Sequence, residues 1–472
     1  MLVGLGPARG VGHAAADLLM SRRKDSPVTT TGTPTTARSP WKAVIGGSVG
    51  NMIEWYDWFV YSTFSVYFAS RFFPEGNATA QLLNTALIFA VGFFMRPVGG
   101  WLLGRVGDRK GRKAALTTTV TLMSLSAILI AVAPTYAQVG YFGAAVLLVA
   151  RLLQGLSVGG EYAASATYLS EVSTPGRRGF FSSFQMVSMK VGQLIGLALQ
   201  ISLQQTLSES ALSSWGWRIP FVVGAIGAAG IFWLRRNLLE TEAYETLDED
   251  TATRAKRGTM RGLLDYKREF ALIIAFSMGG TLCDYTYSTY MTKYLSNTAG
   301  LSKNDASLVS FCAIAVMLLL VPLAGALSDR IGRRPLLITF GVGATLGTVP
   351  LMTALGHVST FGGALLLMLV GIVIITGYTA ISGVVKTEMF PAHVRALGVA
   401  LPYAIANALF GGSAEYVALW FKDAGMESGF YWYVTACSAV SLVVYVTMRE
   451  TRDAVFFRTD KAPESQQAAV TA

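Results

Sequence analysis

The chain has 472 residues, of which 52% are hydrophobic and 14% charged. A soluble globular chain carries about 25% charged residues, so the composition excludes an ordinary soluble domain and points to a helical membrane protein. The net charge is +10, yet Lys and Arg cluster in short segments between apolar runs, which is the pattern of loops on one side of a membrane. No nucleic-acid partner is expected.

In chain order, residues 1–40 stand apart from this pattern. "TTTGTPTTARSP" is low-complexity and is expected to be disordered. "LVGLGPARGVGHAAADLL" resembles a dinucleotide-binding glycine turn but lacks the flanking strand and βαβ unit that would give it meaning. Residues 1–19 are expected to be an over-extended start, with synthesis beginning at Met20. No cleavable signal is apparent, so the first span itself is expected to direct insertion.

From Trp41 onward the apolar runs begin. A crossing helix needs about 20 apolar residues. Ala114 to Ala150 and Pro335 to Val385 contain no Asp, Glu, Lys or Arg, and "APTYAQVG" and "GHVSTFGG" divide them. This reading predicts twelve spans. They begin near Trp41, Leu82, Ala114, Tyr141, Phe180, Trp217, Phe270, Ala306, Pro335, Phe361, Ala396 and Phe430. Period-two alternation is absent, which excludes a strand architecture. "GRVGDRKGRK", "PGRR", the segment Arg235 to Arg268 and "SDRIGRR" are basic, while the alternate loops hold almost no Lys or Arg. Basic loops face the cytoplasm, so both termini are expected there.

The sequence repeats once. "GRVGDRKGRK" from Gly104 recurs as "GALSDRIGRR" from Gly325, and Glu171 in "SEVSTPGRRG" recurs at nearly the same offset as Glu388 in "KTEMFPAHVRALG". Two parallel six-helix halves follow, 41–236 and 269–449, joined by a charged linker at 237–268 and ending in a polar tail at 450–472.

The two loop motifs resemble the signature of the major facilitator superfamily. "GNMIEWYDWFVYS", "FFMRPVGGWLLGRVGDRKGRK", "RLLQGLSVGGEYAASATYLSEV", "WGWRIPF", "EMFPAHVRALGVAL" and "FGGSAEYVAL" together resemble its metabolite–proton symporter branch, and α-ketoglutarate permeases most closely. The resemblance spans Trp41 to Arg449. It implies a multi-pass, monomeric protein of the cell (inner) membrane that imports a dicarboxylate with protons by alternating access, with no cofactor beyond the coupling proton. Citrate, a shikimate-like acid or a zwitterionic osmolyte are the alternative substrates, and a transporter-like nutrient sensor is the alternative role. An enzyme would need a nucleophile–base set or a metal cluster. His357, His393, Cys283, Cys312 and Cys437 form neither, so no enzyme activity and no metal are expected.

Charges inside spans are functional candidates, because an isolated ionised group is costly in lipid. Glu54 and Asp57 are three residues apart on one helix face, which Tyr61 continues. Like charges so placed cannot both ionise cheaply, so one of them is a candidate proton acceptor. Arg96, within the second span, and Arg218, at the outer start of the sixth, offer guanidinium forks for two substrate carboxylates. The competing reading makes both of them structural partners of Glu54, Asp57 or Glu161. Tyr56, Tyr61, Tyr285 and Tyr378 are further candidate substrate contacts. Asp108, Arg109, Arg112, Asp329, Arg330 and Arg333 in the signature loops, with Arg178 and Glu388, are candidate gating charges. By resemblance, Arg151 and Glu171 help lock the inner face. Glu415 is a candidate for pairing between the halves. Lys386 is a candidate cavity residue or a member of a loop ion network.

Two residues depart from the permease pattern. Lys190 sits mid-span where an apolar residue is expected, and Asp284 stands where an aromatic is expected. Ser277, Thr281, Asp284 and Ser288 share a polar helix face. One new cation and one new anion within the membrane suggest that Lys190 and Asp284 pair across the cavity, contributing to substrate binding and proton coupling respectively. Alternatively each faces water independently.

Overall fold

A chain in lipid has no water to satisfy its backbone N–H and C=O groups, so each apolar run must pair them within a helix. The computed structural model describes residues 40–110, 112–159, 161–174, 176–236, 263 and 266–452. For 40–47, 49, 104–110, 112–116, 161, 163–164, 171–172, 231–236 and 392–393 the backbone alone is described. The expected disordered extension at 1–39, nearly all of the expected linker and the tail beyond Arg452 lie outside the described residues.

Every regular element among the described residues is helical. The first set comprises α1 (Pro40–Phe72), α2 (Ala78–Lys110), α3 (Arg112–Ala131), α4 (Tyr136–Val139), α5 (Phe142–Val158), α6 (Glu161–Val172), α7 (Arg178–Thr206), α8 (Glu209–Ser214) and α9 (Ile219–Arg236). The second set comprises α10 (Lys267–Tyr285), α11 (Met291–Asn297), α12 (Lys303–Ile331), α13 (Arg334–Gly356), α14 (Phe361–Thr379), α15 (Ser382–Glu388), α16 (Ala392–Ala406), α17 (Ala414–Asp423) and α18 (Glu427–Thr447). Seven helical segments among the described residues are long and apolar enough to cross a membrane, and Thr117–Ala131 and Phe142–Val158 are shorter apolar helices.

The distribution of side chains suits lipid. Ile226, Leu319, Leu346 and Leu366 are largely exposed, while Glu54, Asp57, Arg96, Arg151, Lys190, Lys293, Lys386 and Glu415 are buried. Within the first set α1 packs on α7, α2 on α5 and α3 on α9; within the second, α10 packs on α16, α12 on α14 and α13 on α18. The same order of pairing thus occurs twice, as the repeated motifs lead one to expect. Close approach within a pair depends on small residues. A side chain on Gly99 would collide with the Leu156 carbonyl, and one on Gly155 with the Gly92 carbonyl, so glycine lets α2 and α5 touch backbone to backbone.

The two sets meet chiefly where α7 packs on α12, and where α2 contacts α16 and α17. At the end bearing the basic signature loops, Asp329 on α12 accepts hydrogen bonds from the Gly179 and Phe180 amides at the start of α7, at 2.8 and 2.9 Å. Arg333 binds Asp329 at 2.8 Å and Glu388 at 3.2 Å. At the opposite end, Gln204 and Gln205 of α7 reach Ser307 and Asn304 of α12, and Glu209 pairs with Lys303 at 2.5 Å.

Glu450 ties the chain after α18 to the start of α13. It accepts the Arg333 and Arg334 amides at 2.9 and 3.0 Å and those of Thr451 and Arg452 at 3.0 Å. Partial burial pushes its carboxyl up, but the four amide bonds outweigh this and hold it below the usual carboxylate range. A depressed folded pKa stabilises the fold above the unfolded value, about 4.3, and the contribution is lost as pH falls through the folded value. Glu450→Gln should therefore lower the melting temperature of the purified protein at pH 7, and the difference from the unsubstituted chain should vanish as the pH is taken well below about 4. Thermal unfolding across that pH range measures it; a pH-independent difference would refute the charge-based account.

Candidate functional site

Midway along α1, Glu54 and Asp57 are both buried. The shared helix face brings them to the same interior, but their surroundings differ. Gln154 of α5 donates to Asp57 Oδ2 and accepts from Arg151 Nη1. Arg151 also donates to the Trp58 carbonyl at 3.3 Å and lies 3.9 Å from the Tyr61 ring centroid. Asp57 Oδ1 makes no hydrogen bond among the described residues. It lies against Gly224 of α9, where a Cβ would stand 2.9 Å from it. Glu54 instead lies within electrostatic reach of Arg96.

Arg96 projects from α2 into an aromatic box. Its guanidinium carbon is 4.2 Å from the ring centroids of Trp58 and Phe93 and 5.0 Å from that of Trp55. Its Nε and Nη2 make no hydrogen bond among the described residues. Ring faces carry partial negative charge and can hold a cation away from water. The Phe93 ring in turn packs edge-on against Tyr285 of the second set, at 5.5 Å between centroids.

Tyr285 lines a small cavity between the two sets, together with Phe59 of α1, Met186 and Met189 of α7, Thr281 and Asp284 of α10, Tyr378 and Thr379 of α14, Ser382 and Tyr403. Lys190 of α7 donates to Asp284 Oδ1 and Oδ2 at 2.9 and 3.1 Å, and to Ser288 at 3.0 Å. The two departures from the permease pattern thus form one buried ion pair joining the sets. The reading in which each faces water independently is corrected: both groups are buried where the two sets meet, and an unpaired charge is costly there. Two π-helical turns flank the cavity, Thr286–Tyr290 after α10 and Asn407–Gly411 after α16. Such turns interrupt regular backbone pairing and concentrate at functional sites.

A second buried ion pair lies at the interface. Lys293 of α11 binds Glu415 of α17, and Ser62 of α1 donates to Glu415 at 2.5 Å and accepts from Lys293 at 3.0 Å. Glu415 thus finds its cation within its own set, and a serine from the first set completes the group. Lys293 escaped the sequence reading; its signal was a lone lysine in the polar-aromatic stretch "TYSTYMTKYLSN". Gln154 was also missed, because an amide in an apolar helix carries no charge to draw notice.

Other predicted residues fall elsewhere. Arg218 sits part-buried at the end opposite the basic loops, donating to the Ala133 carbonyl at 2.8 Å and the Ser214 carbonyl at 3.4 Å over the Trp217 ring. Its fork therefore ties loop backbone and does not line the cavity. The hydroxyls of Tyr56 and Tyr61 bind the carbonyls of Pro220 and Thr85 within the first set, whereas Tyr285 and Tyr378 do line the cavity. Arg151, expected by resemblance at the inner face, is buried mid-helix beside Asp57, because Gln154 and the Tyr61 ring receive its guanidinium there.

Asp329, Arg333 and Glu388 do converge at the basic end, with Arg178 within electrostatic reach of Glu388 and Asp329. Arg330 is exposed, and its carbonyl accepts from Arg452 at 2.8 Å. The side chains of Asp108, Arg109, Arg112 and Glu171 lie outside the described residues. No group of three or more His, Cys, Asp or Glu side chains able to hold a metal occurs among the described residues.

A helical bundle with paired intramembrane charges around a central cavity defines a membrane transport protein of the alternating-access type. Residues 47–415 match the model of the Major Facilitator Superfamily, and the chain belongs to that family. It is 51% identical to the alpha-ketoglutarate permease of Escherichia coli strain K12 over 87% of this chain and 93% of that one. It is 34% identical to a citrate-proton symporter of Salmonella typhi, over 86% and 94%. Its fold matches the xylose transporter of E. coli in a partially occluded inward-open conformation, with a TM-score of 0.69 at 20% identity over 88% of this chain and 98% of that one. These relatives are permeases and symporters, and the protein is a transporter, not an enzyme.

Lys190→Asp or Asp284→Lys alone leaves two like charges buried together, at a cost of about 3–5 kcal/mol, and should abolish transport. The double exchange restores an ion pair and should recover a substantial part of it. Uptake normalised to membrane expression measures this; well-expressed but inactive double exchange would count heavily against a functional pair.

Proposed function

We propose that the protein imports a dicarboxylate, α-ketoglutarate, together with protons by alternating access. The observation that carries this reading is the ion pair Lys190–Asp284, which joins the two sets of helices with Asp284 on the cavity wall. An arriving carboxylate competes with Asp284 for Lys190. Asp284, once displaced, is an uncompensated buried anion, and taking up a proton removes that cost. Binding of substrate and binding of a proton thereby favour one another. Glu54 and Asp57 are further proton acceptors on the same path, and Arg96, Tyr285 and Tyr378 complete the substrate contacts. Arg218 and the Tyr56 and Tyr61 hydroxyls, now bound to backbone carbonyls, would reach substrate only after a change of conformation. The names of the E. coli permease and the Salmonella typhi citrate-proton symporter support both the substrate class and the coupling ion.

In this reading the chain crosses the cell (inner) membrane twelve times as a monomer in the lipid bilayer, with both termini cytoplasmic. Residues 41–236 and 269–449 are two six-helix halves, joined by the linker at 237–268. The basic end faces the cytoplasm, as the bias of Lys and Arg favours. Asp329, Arg333, Glu388 and Arg178 close that end, with Asp108, Arg109, Arg112, Glu171 and Arg330 as further gating charges and Arg151 acting from within the first half. The proton is the coupling ion and no cofactor takes part.

The test is uptake of labelled α-ketoglutarate by the purified full chain in proteoliposomes. An inward proton gradient should drive accumulation above the gradient-free level, with citrate, shikimate and betaine as weaker competitors. Asp284→Asn should lose accumulation while retaining substrate exchange across the membrane without a gradient. No accumulation by the unsubstituted chain would sink both substrate and coupling, and stronger competition by citrate, shikimate or betaine would reassign the substrate.

A further inference from the structure

Most buried cations of the interior already have an anion. Lys190 has Asp284, Lys293 has Glu415, Arg333 has Asp329 and Glu388, and Arg151 is linked through Gln154 to Asp57. Lys386 on α15 differs. It is fully buried, and among the described residues its ammonium meets no carboxylate. It donates to the Tyr162 hydroxyl of the first set at 3.0 Å and lies 3.8 Å from the ring centroid of Tyr403, with the rings of Tyr162 and Tyr378 at 5.0 and 5.9 Å. Tyr378, Tyr403 and the nearby Ser382 are all cavity residues.

Arg96 is held in the same way from the other set, by the faces of Trp58 and Phe93. Tyr403, which carries Lys386 on its face, also lies within electrostatic reach of Arg96, as does the cavity residue Tyr285. Two buried cations, one from each set, thus approach one cavity through shared aromatic walls. Rings can shelter a cation without neutralising it; Arg96 also lies within electrostatic reach of Glu54, whereas an arriving carboxylate supplies the counter-charge that Lys386 lacks among the described residues.

We propose that Lys386 and Arg96 form a two-point clamp for a dianionic substrate, each taking one carboxylate. The clamp rests on the dicarboxylate reading above and assigns its second cation to Lys386 instead of Arg218; one of the two clamped carboxylates is the one that also competes with Asp284 for Lys190. Substrate bridging Lys386 and Arg96 ties the two sets together across the cavity. A monoanion fills one cation only and leaves the other buried without a counter-charge, which disfavours it.

The test uses the purified full chain and compares competition binding of 2-oxoglutarate with that of 2-oxopentanoate, which has the same five-carbon 2-oxo-acid chain without the distal carboxylate. The unsubstituted protein should prefer the dianion by ~30-fold or more. Lys386→Gln should lose most of that preference while still binding the monoanion, and Lys386→Arg should keep part of it. Lys386→Gln with an undiminished preference, or with equal loss of both ligands, overturns the clamp. Should Lys386→Gln fail to fold, Arg96→Gln carries the same test from the other set: a collapsed preference supports the clamp and a retained one overturns it. An unsubstituted protein that binds neither ligand overturns the dicarboxylate reading itself, a result distinct from a preference that survives Lys386→Gln.

Discussion

An ionised side chain removed from water must find an opposite charge, a hydrogen-bond network or an aromatic face, and this constraint organises the interior of the protein. Asp57 finds Gln154 and Arg151, Lys190 finds Asp284, and Lys293 finds Glu415. Each solution brings helices together that are remote in sequence. The helical packing and the charge pairing are therefore one problem, and the aromatic residues of α1 and α2 serve both by filling space and sheltering cations.

Glycine permits close approach both within a set and between the sets, where Gly179 of α7 and Gly325 of α12 touch backbone to backbone. Within the first set, α2 and α5 touch through glycine backbones, and Trp58, Tyr61, Phe89 and Phe93 pack as a continuous aromatic cluster. Such packing has one good arrangement and resists sliding. Between sets, the contacts at either end include side-chain and amide hydrogen bonds, such as Asp329 with the Gly179 and Phe180 amides and Gln205 with Asn304. Water can replace these as they open. Two stiff bodies joined by exchangeable polar contacts are what rigid-body alternation requires.

At the centre, the contacts between sets are an ion pair and an aromatic stack. The Lys190–Asp284 pair and the Tyr162–Tyr403 stack, with ring centroids 3.8 Å apart, both cross the interface. In the proposed mechanism, an anion that engages Lys190 alters the forces between the sets directly, with no need for a signal relayed through either body. The π-helical turns beside the cavity fit this role, since they place backbone irregularity at the moving boundary and not within the packed pairs.

The sequence by itself determined the helical membrane class, the internal repeat and the presence of intramembrane charge. These follow from composition, period and the high cost of charge in lipid, which are properties of each segment alone. It also marked Lys190 and Asp284 as belonging together, because two departures of opposite sign have a shared physical reason. Which charges meet was otherwise a matter of tertiary structure. Arg218 and Arg96 look alike as arginines near aromatic residues, yet one ties loop carbonyls at an end of the bundle and the other is boxed in its interior. Lys293 and Glu415 are 122 positions apart in the chain, and Gln154 and Asp57 are 97 apart. Lys386 was legible as a candidate cavity residue, but its lack of an anion among the described residues became visible only when three helices closed around it. Pairing depends on distances between helices, and those are fixed by how the surfaces pack, not by any one segment.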